Sequence, residues 1–136
     1  MRMKFPRISL VLATFTVLLL IVNVAWAQED TTPKKRLQSP ATVKGLIGGE
    51  SHDSYVIRVR KGQVMTVQIS WGREGDNHAS FTVSEASNFF TGEPSKFGKE
   101  SDGGKRWTGK SPKTSDYYIY VVAHPTAQYT LRVKVT

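Results

Sequence analysis

The sequence predicts an all-β protein, an antiparallel β-sandwich, and three observations support this prediction. From Ala41 onward, apolar and polar side chains alternate with a period of two, as they do in strands that bury one face. No window of that region repeats apolar residues at the spacing of an amphipathic helix. Turn-forming residues separate the alternating runs at short intervals, which favours several short antiparallel strands.

Two alternating runs in the first half of this region are expected to form a β-hairpin. They cover residues 53–60 and 63–71, and Lys61-Gly62 between them is a two-residue turn signal. Gly62 is expected to supply the positive φ that such a turn favours. The inward-facing residues of the two runs are predicted to be Tyr55, Ile57, Val59, Met65, Val67, Ile69 and Trp71.

The remaining strands begin the domain and fill its second half. Residues 87–113 are rich in Gly, Ser, Pro and Lys and are expected to form a loop interrupted by one short strand. Alternation near the end of the chain places Tyr117 inside, with its hydroxyl bonded to backbone, and leaves Tyr118 and Tyr120 as the exposed pair. These strands are predicted at residues 42–47, 79–85, 106–108, 116–123 and 128–135.

The first 27 residues have the layout of a secretory signal peptide. A basic start precedes an almost unbroken apolar run over residues 8–22, and Ala25-Trp26-Ala27 then supplies an A-x-A cleavage site. Cleavage is expected after Ala27, because the run is shorter than the roughly 20 apolar residues that a membrane-spanning helix needs. A signal helix removed in this way would leave a periplasmic or secreted protein with no stable membrane span. An uncleaved membrane anchor is the alternative.

Behind the signal, residues 28–40 are interpreted as a flexible linker and residues 41–136 as one β-sandwich binding domain. The chain has no cysteine, so the domain is expected to hold together by packing alone, and thiol or redox chemistry is excluded. Three of the positive charges and no negative charge lie in the signal, so the formal charge of +8 leaves +5 on the remainder. A basic exported domain suits anionic partners, although solubility alone also explains such a charge.

Five segments follow one another in a characteristic order in this region. They are the glycine-rich residues 45–49, then 53–57, 61–67, 114–121 and 128–133. The ordered set resembles the bacterial pre-peptidase C-terminal domain and is similar to the periplasmic inhibitors of g-type lysozyme. The resemblance implies a jelly-roll-like sandwich without catalytic activity.

The inhibitor family carries a Ser-Gly-x-Tyr loop before its penultimate strand. The matching positions here read Thr114-Ser115-Asp116-Tyr117, with Ser115 in place of the glycine. If this chain inhibits a lysozyme, the resemblance implies that this loop would enter the cleft of the enzyme.

No motif in the chain indicates catalysis or a cofactor. His52, His78 and His124 each lie in an expected loop, and their spacing matches no metal-ligand pattern, although two of them could still meet in the fold. A Gly-x-Ser-x-Gly elbow and a phosphate-binding glycine loop are both missing from the sequence. Asp76 and Asn77 lack the spacing of a calcium loop. We therefore expect neither an enzyme nor a metal site.

The candidate binding residues lie in the basic segment 96–113 and directly after it. Basic side chains interleaved with Trp107 suit an anionic glycan, which they would hold by charge and stacking. A solvated loop with Trp107 in the core is the alternative, and export disfavours nucleic acid as a ligand. The candidate set is Lys96, Lys99, Lys105, Arg106, Trp107, Lys110, Lys113, Thr114, Ser115, Asp116, Tyr118 and Tyr120.

A second basic group consists of Arg58 and Arg60 with Arg132 and Lys134, all on outward faces of predicted strands. If those strands share a sheet, the four residues form a positive stripe; protection of a sheet edge against aggregation explains them equally well. The sequence thus predicts an exported, non-catalytic binding module for a protein or an anionic cell-envelope polysaccharide. A lysozyme inhibitor and a structural envelope protein are the alternatives, and nothing indicates an oligomeric state.

Overall fold

The computed structural model describes residues 28–136, which form nine β-strands in two packed sheets. This architecture confirms the predicted all-β sandwich, and these residues contain no helix long and apolar enough to span a membrane. The signal segment and its cleavage site lie outside the described residues. The strands are β1 (Lys34–Arg36), β2 (Ala41–Gly48), β3 (Asp53–Val59), β4 (Val64–Trp71), β5 (His78–Ser84), β6 (Gly98–Ser101), β7 (Arg106–Lys110), β8 (Ser115–His124) and β9 (Thr126–Val135).

The four-stranded sheet has the order β1-β3-β8-β5 and the five-stranded sheet the order β2-β9-β4-β7-β6. Neighbouring strands run antiparallel, except that β1 lies parallel to β3. A short 3₁₀ turn, Asp102–Gly104, joins β6 to β7. The sequence did not reveal β6, because its four residues include only small and charged side chains and therefore show no apolar alternation.

The expected hairpin of β3 and β4 is wrong, because the two strands lie in different sheets. The turn at Lys61-Gly62 carries the chain from one sheet to the other, and Gly62 has the expected positive φ, 87°. Alternation shows which face of a strand is buried but not which strand lies beside it, and in a sandwich both sheets bury the same kind of face. The inward faces themselves are as predicted for both strands.

The inner faces of the two sheets meet in one apolar core. Burying a side chain of the size of valine or leucine stabilises a fold by about 1.5–3 kcal/mol, so a dense set of such residues explains how the domain holds together without disulfides. Trp71, at the end of β4, is only partly buried. The largest fully buried aliphatic side chains are Val59, Met65, Val67, Ile119, Val121, Leu131 and Val133.

One polar cluster crosses the core between the sheets. Tyr129 on β9 donates a hydrogen bond to the carboxylate of Asp53 on β3, and its oxygen also meets the hydroxyl of Tyr55. Burial, followed by these two contacts, raises the pKa of Tyr129 well above its ordinary value. These hydrogen bonds link β3 of the four-stranded sheet to β9 of the five-stranded sheet.

The segment before β2 belongs to the sandwich. Strand β1 pairs with β3, the backbone N–H of Leu37 donates to the carbonyl of Val56 at 2.8 Å, and the side chain of Leu37 is only 6% exposed. The expectation of a flexible linker over residues 28–40 is wrong for this stretch. A three-residue strand and a single buried leucine are too short to show a periodic pattern. The sequence also does not show that β3 has a free edge with which this segment can pair.

Residues before β1 and the chain after β5 cover part of the outer face of the four-stranded sheet. The carboxylate of Asp30 accepts the backbone N–H groups of Phe89 and Thr32 at 3.0 and 3.1 Å and lies 3.2 Å from Nε2 of His52. The ring of His52 stacks on Phe89 with 4.0 Å between centroids, and Tyr120 packs edge-on against both rings. The part of this face around Tyr120 is therefore covered by the protein's own chain.

Candidate binding surface

The outer face of the five-stranded sheet carries the candidate site, and we name it the basic face. In β2, β4, β7 and β9 it is formed by the residues that alternate with the buried ones, and strand register adds their partners in β6. The basic face consists of Thr42, Lys44, Leu46, Gly48, Val64, Thr66, Gln68, Ser70, Lys99, Ser101, Arg106, Thr108, Lys110, Thr126, Gln128, Thr130, Arg132 and Lys134.

Charge is distributed unevenly between this face and the rest of the domain. The basic face has six Lys or Arg residues and no Asp or Glu, a formal charge of +6. Residues 28–136 together carry +5, so everything outside the face sums to −1. Within the described chain none of the six forms an ion pair. Glu100 on β6 is in register with the buried Trp107 and therefore lies on the other side of the sheet.

Strand register arranges these side chains in rows that cross the sheet. Successive partners on β7, β4, β9 and β2 are Arg106, Gln68, Arg132 and Thr42. A shallow depression lies over this row and the next one. The neighbouring row, which starts on β6, is Lys99, Thr108, Thr66 and Lys134.

The basic segment 96–113 does not act as one surface. Lys99, Arg106 and Lys110 lie on the basic face, whereas the remaining three lysines lie elsewhere. Lys105 sits over the ring of Trp71, 5.3 Å from its centroid, and Lys113 pairs with Glu85 at 3.2 Å. Lys96 lines a separate shallow depression beside the end of β5.

The structure removes Trp107 from the candidate contact residues. Its side chain is 5% exposed and packs edge-on against Phe97 in the core. The indole lies so close to Gly98 on the neighbouring strand that a Cβ there would come within 2.1 Å of the ring. The predicted short strand brings Trp107 inside because Arg106 and Thr108 take the outward positions on either side of it.

Ser115 and Asp116 form the start of β8, and Thr114 directly precedes it. The hydroxyl of Thr114 accepts the backbone N–H of Lys61 at 3.0 Å. The carboxylate of Asp116 accepts two hydrogen bonds from Arg36 at 3.2 and 3.3 Å, and Arg58 lies 3.7 Å away. The hydrogen bonds from Arg36, with a smaller contribution from Arg58, lower the pKa of Asp116.

The three tyrosines of β8 differ from one another in exposure. Tyr117 is buried as predicted, but its hydroxyl meets Oγ of Ser111 at 2.7 Å and not a backbone group. The exposure expected for Tyr120 is wrong: it is 3% exposed and donates a hydrogen bond to the carbonyl of Ala86, because the chain after β5 folds over it. Tyr118 stacks beside it and stays partly exposed.

The expected positive stripe is also wrong. Arg58 lies on β3 in the four-stranded sheet and Arg60 directly after it, while Arg132 and Lys134 lie on β9 in the other sheet. Arg132 and Lys134 instead share the basic face with three residues of the basic segment 96–113, namely Lys99, Arg106 and Lys110. The sequence predicted outward positions for Arg132 and Lys134 and placed the other three in a loop-rich segment. It did not reveal the strand order that unites them, and it did not single out Lys44 or the neutral Gln68 between two arginines.

The histidines do not form a metal centre among the described residues, where no group of three or more potential ligands occurs. His52 is buried beside Asp30. His78 and His124 are register partners at the ends of β5 and β8, so two of the three do meet across a sheet.

No protein-family model and no curated relative matches the sequence. Among solved structures, the lysozyme inhibitor PliG from Aeromonas hydrophila is 23% identical over 76% of this chain and 96% of its own, with a TM-score of 0.60. The pre-peptidase C-terminal domain of a collagenase from Bacillus anthracis is 21% identical over 79% and 100%, with a TM-score of 0.56. CorA, a surface-associated copper-binding protein of Methylomicrobium album BG8, is 11% identical over 77% and 98%, with a TM-score of 0.54.

These likenesses confirm the predicted resemblance at the level of fold. The three proteins have different roles by their descriptions: an inhibitor of g-type lysozyme, a domain of a collagenase and a copper-binding protein. One fold can thus support unrelated functions, and the function of this chain has to be argued from its own surface.

Proposed function

We propose that this chain is an exported, non-catalytic binding module that holds an acidic polysaccharide of the cell envelope on the basic face. The observation that carries the proposal is the separation of charge, +6 on this face against −1 on everything else between residues 28 and 136. A one-sided positive field attracts and orients a polyanion, whereas the same charges scattered over the surface would serve only solubility.

The make-up of the basic face favours a polysaccharide over a protein partner. The centres of protein interfaces are rich in aromatic residues and poor in charged ones. The centre of this face is instead Gln68 and Thr66 with charged residues around them, and its one large exposed apolar residue, Leu46, lies at the outer strand β2. The face has no aromatic side chain, so it lacks the stacking platform typical of sites for single-stranded nucleic acids. An acidic glycan would be held there by charge and hydrogen bonds and not by the stacking expected from Trp107.

Export and the lack of catalysis form part of the same proposal. The signal-like start of the chain supports a periplasmic or secreted location. The non-catalytic role is supported by the environments of the groups with shifted pKa values. Asp30, Asp116 and Tyr129 are each engaged in contacts that hold the fold together, and none of them faces the basic face.

The test compares two charge-reversed variants that change the total charge equally. The first carries Lys99→Glu, Arg132→Glu and Lys134→Glu on the basic face, and the matched control carries Arg60→Glu, Lys61→Glu and Arg73→Glu, which are exposed elsewhere. Binding of the exported protein to immobilised polygalacturonate should be lost in the first variant and retained in the control. Raising salt should weaken the wild-type interaction, and neutral dextran should not bind.

Equal loss of binding in both variants would mean that total charge and not this face is responsible. Failure of the wild type to bind any acidic polysaccharide at low salt would overturn the proposal and leave the structural envelope protein as the simpler interpretation.

Inhibition of a g-type lysozyme is the second candidate, favoured by the fold shared with PliG over nearly its whole length. Residues 114–117, which the resemblance implies would enter the enzyme cleft, offer few side chains that are free to contact an enzyme. Asp116 is paired with Arg36, and Tyr117 is buried. A lytic assay with g-type lysozyme and micromolar protein decides the matter, because unchanged lysis would eliminate this candidate.

A further inference from the structure

Within the basic face, we propose that Arg106 and Arg132 form a two-arginine subsite for the carboxylate of a uronic acid sugar. This inference rests on the proposed function and names the chemical group that the surface recognises. It separates the residues that select the ligand from those that only attract it.

The register of the sheet places the two arginines on either side of one amide. Gln68 on β4 is the partner of Arg106 on β7 and of Arg132 on β9, so the three residues form a single row across three adjacent strands. Strands lie about 4.8 Å apart, so the two arginine Cα atoms are about 10 Å from each other. Both side chains are exposed, both line the same depression, and neither is in an ion pair within residues 28–136.

The arginine and lysine side chains of the basic face differ in how they bind an anion. A guanidinium presents two parallel N–H groups that match the two oxygens of a carboxylate, whereas a lysine ammonium acts as a hydrated point charge. The arginines lie in one row, separated only by Gln68, while the four lysines are distributed over other rows. The arginines are therefore suited to recognition, and the lysines to long-range attraction; these lysines are Lys44, Lys99, Lys110 and Lys134.

The neutral residues next to the arginines favour a sugar acid over a polyphosphate. Gln68 offers both a donor and an acceptor, and the hydroxyls of Thr42 and Thr66 line the same depression. A uronic acid carries hydroxyl groups on the ring beside its carboxylate, so it can satisfy these groups and the arginines together. A chain of phosphates has no donor for the amide oxygen of Gln68.

The experiment uses exchanges that keep the charge. Arg106→Lys and Arg132→Lys retain the positive charge but lose the paired N–H groups, and Arg60→Lys and Arg73→Lys are the matched controls, the same exchange at exposed arginines outside the basic face. Affinity for polygalacturonate oligomers is measured by calorimetry over a series of salt concentrations. Each arginine exchange should weaken binding about tenfold or more with an unchanged salt dependence, and each control should stay within about twofold of wild type.

Three outcomes distinguish this inference from the proposed function. If the arginine exchanges bind as tightly as wild type, the subsite is overturned while salt-dependent binding to the basic face stands. If dextran sulfate binds as tightly as polygalacturonate and responds equally to the arginine exchanges, the assignment to a carboxylate is overturned. If wild type binds neither polymer, the proposed function fails as well. The folded state of each variant is checked by its urea unfolding midpoint.

Discussion

Tyr117 and Tyr118 are neighbours in the chain with opposite environments. Tyr117 is fully buried and its hydroxyl meets Ser111 Oγ, which itself donates to the carbonyl of Lys113 at 2.6 Å. Tyr118 lies on the other face and is partly exposed. Alternation along a strand predicted this opposition, but the identity of the hydrogen-bond partner depends on where the loop before β8 lies.

Replacing Tyr117 by Phe should lower the free energy of unfolding by about 1 kcal/mol, because a buried hydroxyl loses its partner while the ring still fills the core. Tyr118→Phe removes the same atom at a partly exposed position and should change stability by less than about 0.5 kcal/mol. Urea unfolding of both variants makes the comparison. Equal effects would contradict the buried hydrogen bond.

Asp30 is a carboxylate within the segment expected to be flexible. Burial alone raises the pKa of Asp30, but the N–H groups of Phe89 and Thr32, with His52 and Lys34, outweigh it, so the pKa lies below its usual value. A carboxyl group with a lowered folded-state pKa stabilises the fold above its ordinary pKa of about 4, and this contribution is lost as the pH falls through the lowered value.

Asp30→Asn should therefore cost about 1 to 2 kcal/mol at pH 7 and flatten the loss of stability between pH 4 and pH 2. The control is Asp76→Asn in the exposed turn before β5, which should leave stability within about 0.5 kcal/mol of wild type. Urea unfolding at pH 7 and at pH 3 measures both. A variant as acid-sensitive as wild type would contradict the assigned role of the carboxylate.

At the scale of elements, β1 shows that a short strand can be invisible in the sequence and still be integral to the fold. It borders the four-stranded sheet, and Leu37 behind it is buried. By contrast, Leu46 on β2 is 66% exposed although it lies in a longer and clearly alternating strand. Both β1 and β2 lie at a sheet edge, and Leu46 is exposed because it takes an outward position next to the buried Ile47, whereas Leu37 packs into the core.

Leu37→Ala should lower the free energy of unfolding by about 2 kcal/mol or more, because it leaves a cavity at the core. Leu46→Ala is the same exchange at the surface and should cost less than about 0.5 kcal/mol. Denaturant unfolding of the two variants side by side is the measurement. Similar losses in both would show that residues 34–37 do not dock as described.

For the whole molecule, the two outer faces of the sandwich differ in exposure. The outer face of the four-stranded sheet is partly covered by the protein's own chain, whereas the six lysine and arginine side chains of the basic face are exposed to solvent. The core between them holds the hydroxyl of Tyr129, and the covered side holds that of Tyr120. Both tyrosines remain protonated far into the alkaline range because of where they are buried.

Stability should decline above pH 10. Burial, followed by the charge of Asp30, raises the pKa of Tyr120 to about 12, and burial also raises the pKa of Tyr129. Unfolded tyrosines lose their proton near pH 10, so the unfolded state is favoured as the pH rises beyond that point, while the full contribution is present below it. Urea unfolding at pH 8, 10 and 11 should show the decline, and Tyr120→Phe should reduce it. Constant stability over this range would contradict the buried state of these hydroxyls.

The sequence by itself determined the fold class, the inward faces of β3, β4 and β8 and the absence of disulfides, because alternation and composition are local properties. Only the tertiary structure decided that β3 and β4 lie in different sheets, that residues 28–37 join the sandwich, and that Tyr120 is covered. It also decided that Arg106 from a loop-rich segment and Arg132 from the last strand stand on either side of Gln68. Strand order and register depend on contacts between residues distant in the chain, and no local pattern records them.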